Sequence, residues 1–273
     1  MKMNNKIENI LAQIMDISSY VWQRGWAERN GGNISVNLTD EYRGGIINPG
    51  ECEHVSYQQL DTILAGKIFF CSGTGMRIRD LAKDMNTLKK NSCILKIDNA
   101  AKGYCIIWGG ESEKFRPTSE LTSHLYIHTD LIKRETGCKA VVHNHPGELI
   151  SLTHSKLYCT SSEQITDSLW RTLPEVRAFI PRGIALVPYA LPGSEKLAEL
   201  TVKALRKYDV ALWEKHGAVA VGRDVDEAFD FIDVANKGAI IFLQCLSAGY
   251  VPEGLTDEQI KELEDVFNLN YSG

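Results

Sequence analysis

The stretch Ala140-Val141-Val142-His143-Asn144-His145 marks where a sheet ends and where a site can begin. Three small or β-branched apolar residues followed by polar ones read as a buried strand reaching its C-terminal end. Positions i and i+2 of an extended chain project to the same side, so the imidazoles of His143 and His145 converge. Their Cα atoms are expected roughly 6–7 Å apart, which lets both rings reach one metal ion at about 2 Å. Two imidazoles placed side by side without a ligand are electrostatically and sterically unrewarding, so the pair reads as part of a metal site. His216, in the turn Trp213-Glu214-Lys215-His216-Gly217 between two short apolar runs, is the third candidate. Three imidazoles suit zinc and leave a position open for substrate or water. No cysteine lies within four residues of His143, His145 or His216, which disfavours a closed structural zinc cluster. His54, His124, His128 and His154 fall outside this pattern and read as hydrogen-bonded structural residues.

On both sides of this stretch, strand-like and helix-like patterns intermingle. Ile7, Ile10, Leu11, Ile14, Ile17 and Val21 repeat at helical spacing and predict an amphipathic helix from residue 6 to about 24. After the turn Asn30-Gly31-Gly32-Asn33, the apolar Ile34, Val36 and Leu38 alternate with Ser35 and Asn37 as in a half-buried strand. Residues 39–67 carry no sustained period and predict an irregular excursion with one short helix near 57–64. Further strands are expected at 67–71, 92–97, 104–108, 140–145, 184–189, 210–213 and 218–221, and helices at 119–134, 163–170, 195–207 and 225–247. The class is therefore α/β or α+β. With no repeat and no composition shift, one domain over 1–273 is expected, its N-terminal helical segment of about 1–30 able to move.

Composition narrows the partners. The 273 residues are 44% hydrophobic and 24% charged, enough for a sizeable core. Thirty Lys and Arg against 35 Asp and Glu give a net charge of -5, which argues against a sequence-independent grip on nucleic acid or anionic lipid. No charged N-terminal region precedes an apolar run, and no apolar stretch approaches bilayer length, so a cytoplasmic protein acting on a small molecule is expected. The seven cysteines lack metal-knuckle or redox spacing and read as reduced packing residues.

Three segments offer glycine amides and hydroxyls at element ends: Asn30-Gly31-Gly32-Asn33, Ser72-Gly73-Thr74-Gly75 and Pro117-Thr118-Ser119-Glu120. Such groups cradle a phosphate without a basic patch. Taken alone, the last of them reads as an ordinary helix cap, and Glu175, after Trp170-Arg171-Thr172-Leu173-Pro174, as an ordinary surface acid.

In this order, Glu28-Arg29-Asn30-Gly31-Gly32-Asn33, Ser72-Gly73-Thr74-Gly75, Pro117-Thr118-Ser119-Glu120, His143-Asn144-His145 and His216-Gly217 resemble the zinc-dependent class II sugar-phosphate aldolases, from about residue 10 to 250. The resemblance implies an α/β fold with a central, largely antiparallel sheet flanked by helices, a homotetramer with active sites near subunit contacts, and one Zn2+ per subunit on His143, His145 and His216. It also implies a sugar-phosphate substrate whose phosphate lies against Asn30, Gly32, Asn33, Thr74, Gly75 and Ser119. Glu120 becomes the proton-transfer residue, ionised on zinc at rest and displaced and protonated when substrate chelates. Glu175 becomes a second acid, carried over from its spacing after Leu169 and Trp170. Thr74 stands where the family's pattern has Ser, and Met76 follows the turn where a basic residue is expected. The activity implied is retro-aldol cleavage of a ketose phosphate. A zinc-dependent 4-epimerase on the same scaffold is the alternative, as is a non-catalytic interaction domain like the adducin head. Intact Glu120 and three histidines argue against the latter.

Overall fold

The chain forms a nine-stranded sheet covered by helices on both faces, described by a computed structural model over residues 5–42 and 52–269. The strands are β1 (Asn33–Asn37), β2 (His54–Ser56), β3 (Ile68–Ser72), β4 (Ser92–Ile97), β5 (Gly103–Gly109), β6 (Ala140–Asn144), β7 (Ile184–Val187), β8 (Val210–Trp213) and β9 (Gly217–Gly222). They lie in the order β2-β5-β4-β3-β1-β6-β9-β8-β7. Every pairing is antiparallel except β7 with β8, so the sheet is largely antiparallel as the resemblance implies. A parallel pair needs a crossover connection, and α8 (Glu195–Leu205) supplies it.

The other helices are α1 (Asn5–Gln23), α2 (Ile78–Leu81), α3 (Met85–Asn91), α4 (Leu121–Lys133), α5 (Gly147–Leu152), α6 (Ser162–Thr172), α7 (Pro174–Phe179), α9 (Val225–Ser247) and α10 (Asp257–Phe267). On one face of the sheet, Ile34, Val36, Phe70, Ile94, Val142 and Leu212 join the buried stripes of α1 and α9 in the main core. On the opposite face two smaller clusters form. Phe69, Cys71, Cys93 and Leu95 meet Leu121 and Leu125 of α4, while Val141, Ala211 and Val219 meet Ile127 and Leu131 of α4 and Leu197 of α8.

The 39–67 excursion carries more structure than its sequence shows, with β2, a 3-10 turn at Thr62–Leu64 and an edge pairing to β5. Residues 43–51 of it lie outside the described residues. β1 differs more instructively. Its alternation predicts a half-buried strand, yet Asn33 through Val36 are all buried, and Ser35 is fully enclosed. The polar side of β1 faces α4, not water, and there it meets histidines. Among the described residues no helix is long and apolar enough to cross a membrane.

Candidate metal centre and substrate cleft

β6 brings the two histidines to the α4 side of the sheet. Val141 packs in the α4/α8 cluster, so His143 two residues on has the same facing. β6 ends at Asn144, one residue earlier than its sequence predicts, because the His145 amide turns away to the carbonyl of Trp26 at 2.9 Å. The ring centroids of His143 and His145 are nevertheless 4.9 Å apart. His216 enters from the tight β8–β9 connection, where Lys215 takes a left-handed conformation (φ 62°). Its ring lies 5.0 Å from that of His143 and 5.2 Å from that of His145. One ligand atom from each of the three lies within 4.8 Å of the others. Trp213 lies against His143 and His216, at centroid distances of 4.5 and 5.0 Å, and its indole N–H donates to Thr201 Oγ1 at 2.8 Å.

The protons on these rings can be placed from their partners. A carbonyl oxygen only accepts, so His143 Nδ1–H donates to Ala218 O at 3.0 Å and leaves Nε2 bare. His145 Nδ1–H donates to the Glu28 carboxylate at 2.6 Å, which turns its Nε2 toward His143. The two Nε2 atoms are 3.1 Å apart. A cation set against both is bound by two imidazole nitrogens at once. Burial, with His145 and His216 nearby, holds His143 well below the ordinary imidazole range. Burial and His145 push His216 down to about 4. Three imidazoles, two of them with Nδ1 tied to an acceptor, are the donor set a divalent metal requires.

Glu120 stands beside them. Its Oε2 is 3.7 Å from His143 Nε2 and its Oε1 3.8 Å from His216 Nε2. It occupies the N-cap position of α4 and makes no side-chain cap bond of its own, while the Thr118 hydroxyl accepts from the Glu120 amide at 3.2 Å. The carboxylate instead accepts from Asn33 Nδ2 at 2.9 Å. Burial raises its pKa, opposed by the Asn33 hydrogen bond and by His145.

The cleft over this cluster, about 300 Å³, is lined by Asn30, Gly32, Asn33, Thr74, Gly75, Ser119, Glu120, His143, His145 and His216, together with Glu28 and Arg29. All the candidate residues but one thus share one cavity. The glycine turn after β3 is tied to the start of α4 by a Gly73–Pro117 bridge, and the Thr74 amide donates to Arg116 O at 2.9 Å, leaving its hydroxyl for a ligand. Asn33 lines the cleft too, with its side chain committed to Glu120 and His124. The exception is Glu175, exposed on α7 and absent from the lining of this cleft. A larger cleft of about 690 Å³ between α4 and α8 contains none of the candidates.

Sequence pattern assigns no role to Glu28 or Trp213, although both stand in quoted segments. Glu28 carries no local signal, since the ring it holds is 117 residues away.

Comparison with known proteins agrees with this geometry. Residues 12–243 match the model of the class II aldolase and adducin N-terminal domain family. The chain is 43% identical over 258 residues to a rhamnulose-1-phosphate aldolase of Bacteroides thetaiotaomicron, covering 94% of this chain and 93% of the relative. It is 31% identical over 259 residues to one of Klebsiella pneumoniae, covering 92% and 90%. Among solved structures, a sugar-phosphate aldolase from Thermotoga maritima superposes with a TM-score of 0.76 at 30% identity, covering 91% of this chain and all of that one. By sequence, sheet and histidine cluster together, the chain belongs to the class II aldolase and adducin N-terminal domain family.

Proposed function

We propose that the protein is a lyase that cleaves L-rhamnulose 1-phosphate into dihydroxyacetone phosphate and L-lactaldehyde, with one Zn2+ per subunit on His143, His145 and His216. The observation that carries this reading is the trio of converging imidazoles beside a buried carboxylate, in a chain 43% identical to an enzyme of that name. The family resemblance extends the reading to a cytoplasmic homotetramer without nucleic-acid or membrane partners.

Lewis acidity toward the oxygens of the substrate is the chemistry a bound divalent metal supplies here. The protein's own residues do the rest. A base takes the proton of the C4 hydroxyl, the C3–C4 bond breaks with its electron pair left on C3, the aldehyde departs, and C3 then takes up a proton. Glu120 delivers that last proton, and its burial favours the neutral form that can donate. Thr74 and Ser119 hydroxyls, with the backbone at Asn30, Gly32 and Gly75, hold the phosphate. Asn33 enters through Glu120. Glu175, lying outside the cleft of its own chain, contributes as a second acid to the cleft of a neighbouring subunit.

The test is to incubate the zinc-loaded protein with rhamnulose, fuculose and ribulose phosphates side by side and trap free dihydroxyacetone phosphate. Release from rhamnulose 1-phosphate at the highest kcat/KM is expected. Preference for the fuculose ester would move the substrate assignment, and interconversion of pentulose phosphates without any free triose phosphate would replace cleavage by epimerisation.

A further inference from the structure

Beneath the cleft, between β1 and α4, lie two fully enclosed histidines that the reaction does not use. His124 and His128 are 2% and 0% exposed, one helical turn apart on the same face of α4. Ser35 Oγ sits between them, 2.6 Å from His124 Nδ1 and 2.8 Å from His128 Nε2. His124 Nε2 in turn contacts Asn33 Oδ1. Burying two imidazoles and a hydroxyl in this way is costly unless their hydrogen bonds are satisfied.

One fixed point settles every proton in this cluster. The Asn33 amide turns its NH2 to Glu120 Oε2 at 2.9 Å and its oxygen to His124 Nε2, and that oxygen can only accept. His124 then carries its proton on Nε2. Burial pushes the imidazoles of His124 and His128 down to about 3, so both are neutral and each has one proton. His124 Nδ1 is therefore bare and must accept from the Ser35 hydroxyl. That hydroxyl has no second proton, so His128 Nε2–H donates to it. His128 Nδ1 is left bare, and it is the one ring nitrogen of the cluster with no hydrogen-bond partner. Phe69 packs on the His128 ring at 4.8 Å and closes that end.

We infer that His128, Ser35 and His124 form a one-way chain of donors that locks the amide of Asn33 and, through it, holds the Glu120 carboxylate in its working orientation. They are positioning residues. Each bond in the chain points toward Glu120, and Asn33, an amide, breaks any path for proton transfer, so the chain orients and does not conduct. Removing the His124 donor leaves the Asn33 oxygen without its buried partner, so the amide is no longer held in place and the Glu120 carboxylate it carries loses its fixed orientation. This deepens the aldolase reading and rests on it for its kinetic consequence, while the proton placement stands apart from it.

The test has two arms. In the first, 15N-histidine NMR of the unmodified protein should show His124 and His128 as neutral rings with the proton on Nε2, unchanged between about pH 5.5 and 8.5. A proton on His124 Nδ1, or titration of either ring in that range, would overturn the chain. In the second, His124→Leu and His124→Gln are compared. Gln restores an N–H donor near the position of Nε2. Leu should lower kcat by about tenfold to hundredfold with KM and zinc content nearly unchanged, and Gln should recover most of the loss. Parental kcat in His124→Leu, or equal losses in both variants at matched thermal stability, would overturn the positioning role. If the parental protein cleaved none of the sugar phosphates, the aldolase reading would fall, and the ring protons would still decide the chain.

Discussion

At the scale of single residues, the centre is packed so that substitutions near it should separate its parts. A Cβ on Gly217 would lie 2.5 Å from Asn144 O, 2.8 Å from His143 Cε1 and 2.9 Å from His145 Cδ2. The first neighbour is backbone and the other two belong to the proposed ligands, so the rings must move. Gly217→Ala should therefore weaken zinc binding about 10- to 100-fold while the protein stays folded, as judged by chelator competition and circular dichroism. Parental zinc affinity would mean the rings can give way at no cost. Glu120→Gln should do the reverse. It keeps size and the Asn33 contact, so zinc is retained, but it cannot carry a proton, and turnover should fall by about 10² to 10⁴. Solvent exchange of the carbon-bound proton of dihydroxyacetone phosphate, which needs no aldehyde, should fall in the same proportion. Exchange at the parental rate with cleavage lost would remove Glu120 as the group that protonates C3.

At the scale of elements, α1 shows how an apolar stripe becomes stability. Ile7, Leu11, Ile14, Ile17 and Val21 are buried along it, and Leu11 is completely enclosed. Leu11→Ala leaves a cavity that the two-sided core cannot collapse, and should cost about 2–5 kcal/mol in denaturant unfolding. A loss under about 1 kcal/mol would mean α1 contributes little to the cooperative unit. The same stripe explains why α1 was readable from sequence. So were α4, α9 and the strands of the β6–β9–β8 region, where period or a bounded apolar run is long enough to count. The four- to seven-residue helices α2, α3, α5 and α7 contain two turns at most, too few for a period to show in sequence. α10 buries none of its residues, so no apolar stripe marks it, although its Thr256 and Gln259 capping box is a local signal. In the site, the His143 and His145 pairing follows from strand geometry alone. The acid at Glu120 could not be told from a helix cap without the family resemblance. His124 and His128, four apart on α4, hydrogen-bond to Ser35 and satisfy the polar side of β1, which is why β1 is buried on both sides despite its alternation.

At the scale of the whole molecule, the single chain does not assemble every candidate group. Glu175 projects from α7, whose buried side packs toward α6, α9 and α10, and it does not line the cleft that holds Glu120. If it acts as a second acid, it does so in another subunit's cleft, as closed cyclic assemblies permit by presenting one surface of each chain to a different surface of the next. Complementation decides this. Glu120→Gln and Glu175→Gln should each be nearly inactive when assembled alone, since every cleft lacks one acid. When the two are co-expressed and mixed assemblies isolated by distinct tags, a cleft works if its own chain keeps Glu120 and the chain reaching into it keeps Glu175. Random assembly from equal amounts makes about a quarter of the clefts complete, so about a quarter of parental turnover should return. Were both acids supplied by the same chain, no mixture could make a complete cleft, and activity would stay at the level of the separate variants. An active Glu175→Gln homo-oligomer would remove Glu175 from the reaction altogether and leave Glu120 as its one carboxylate.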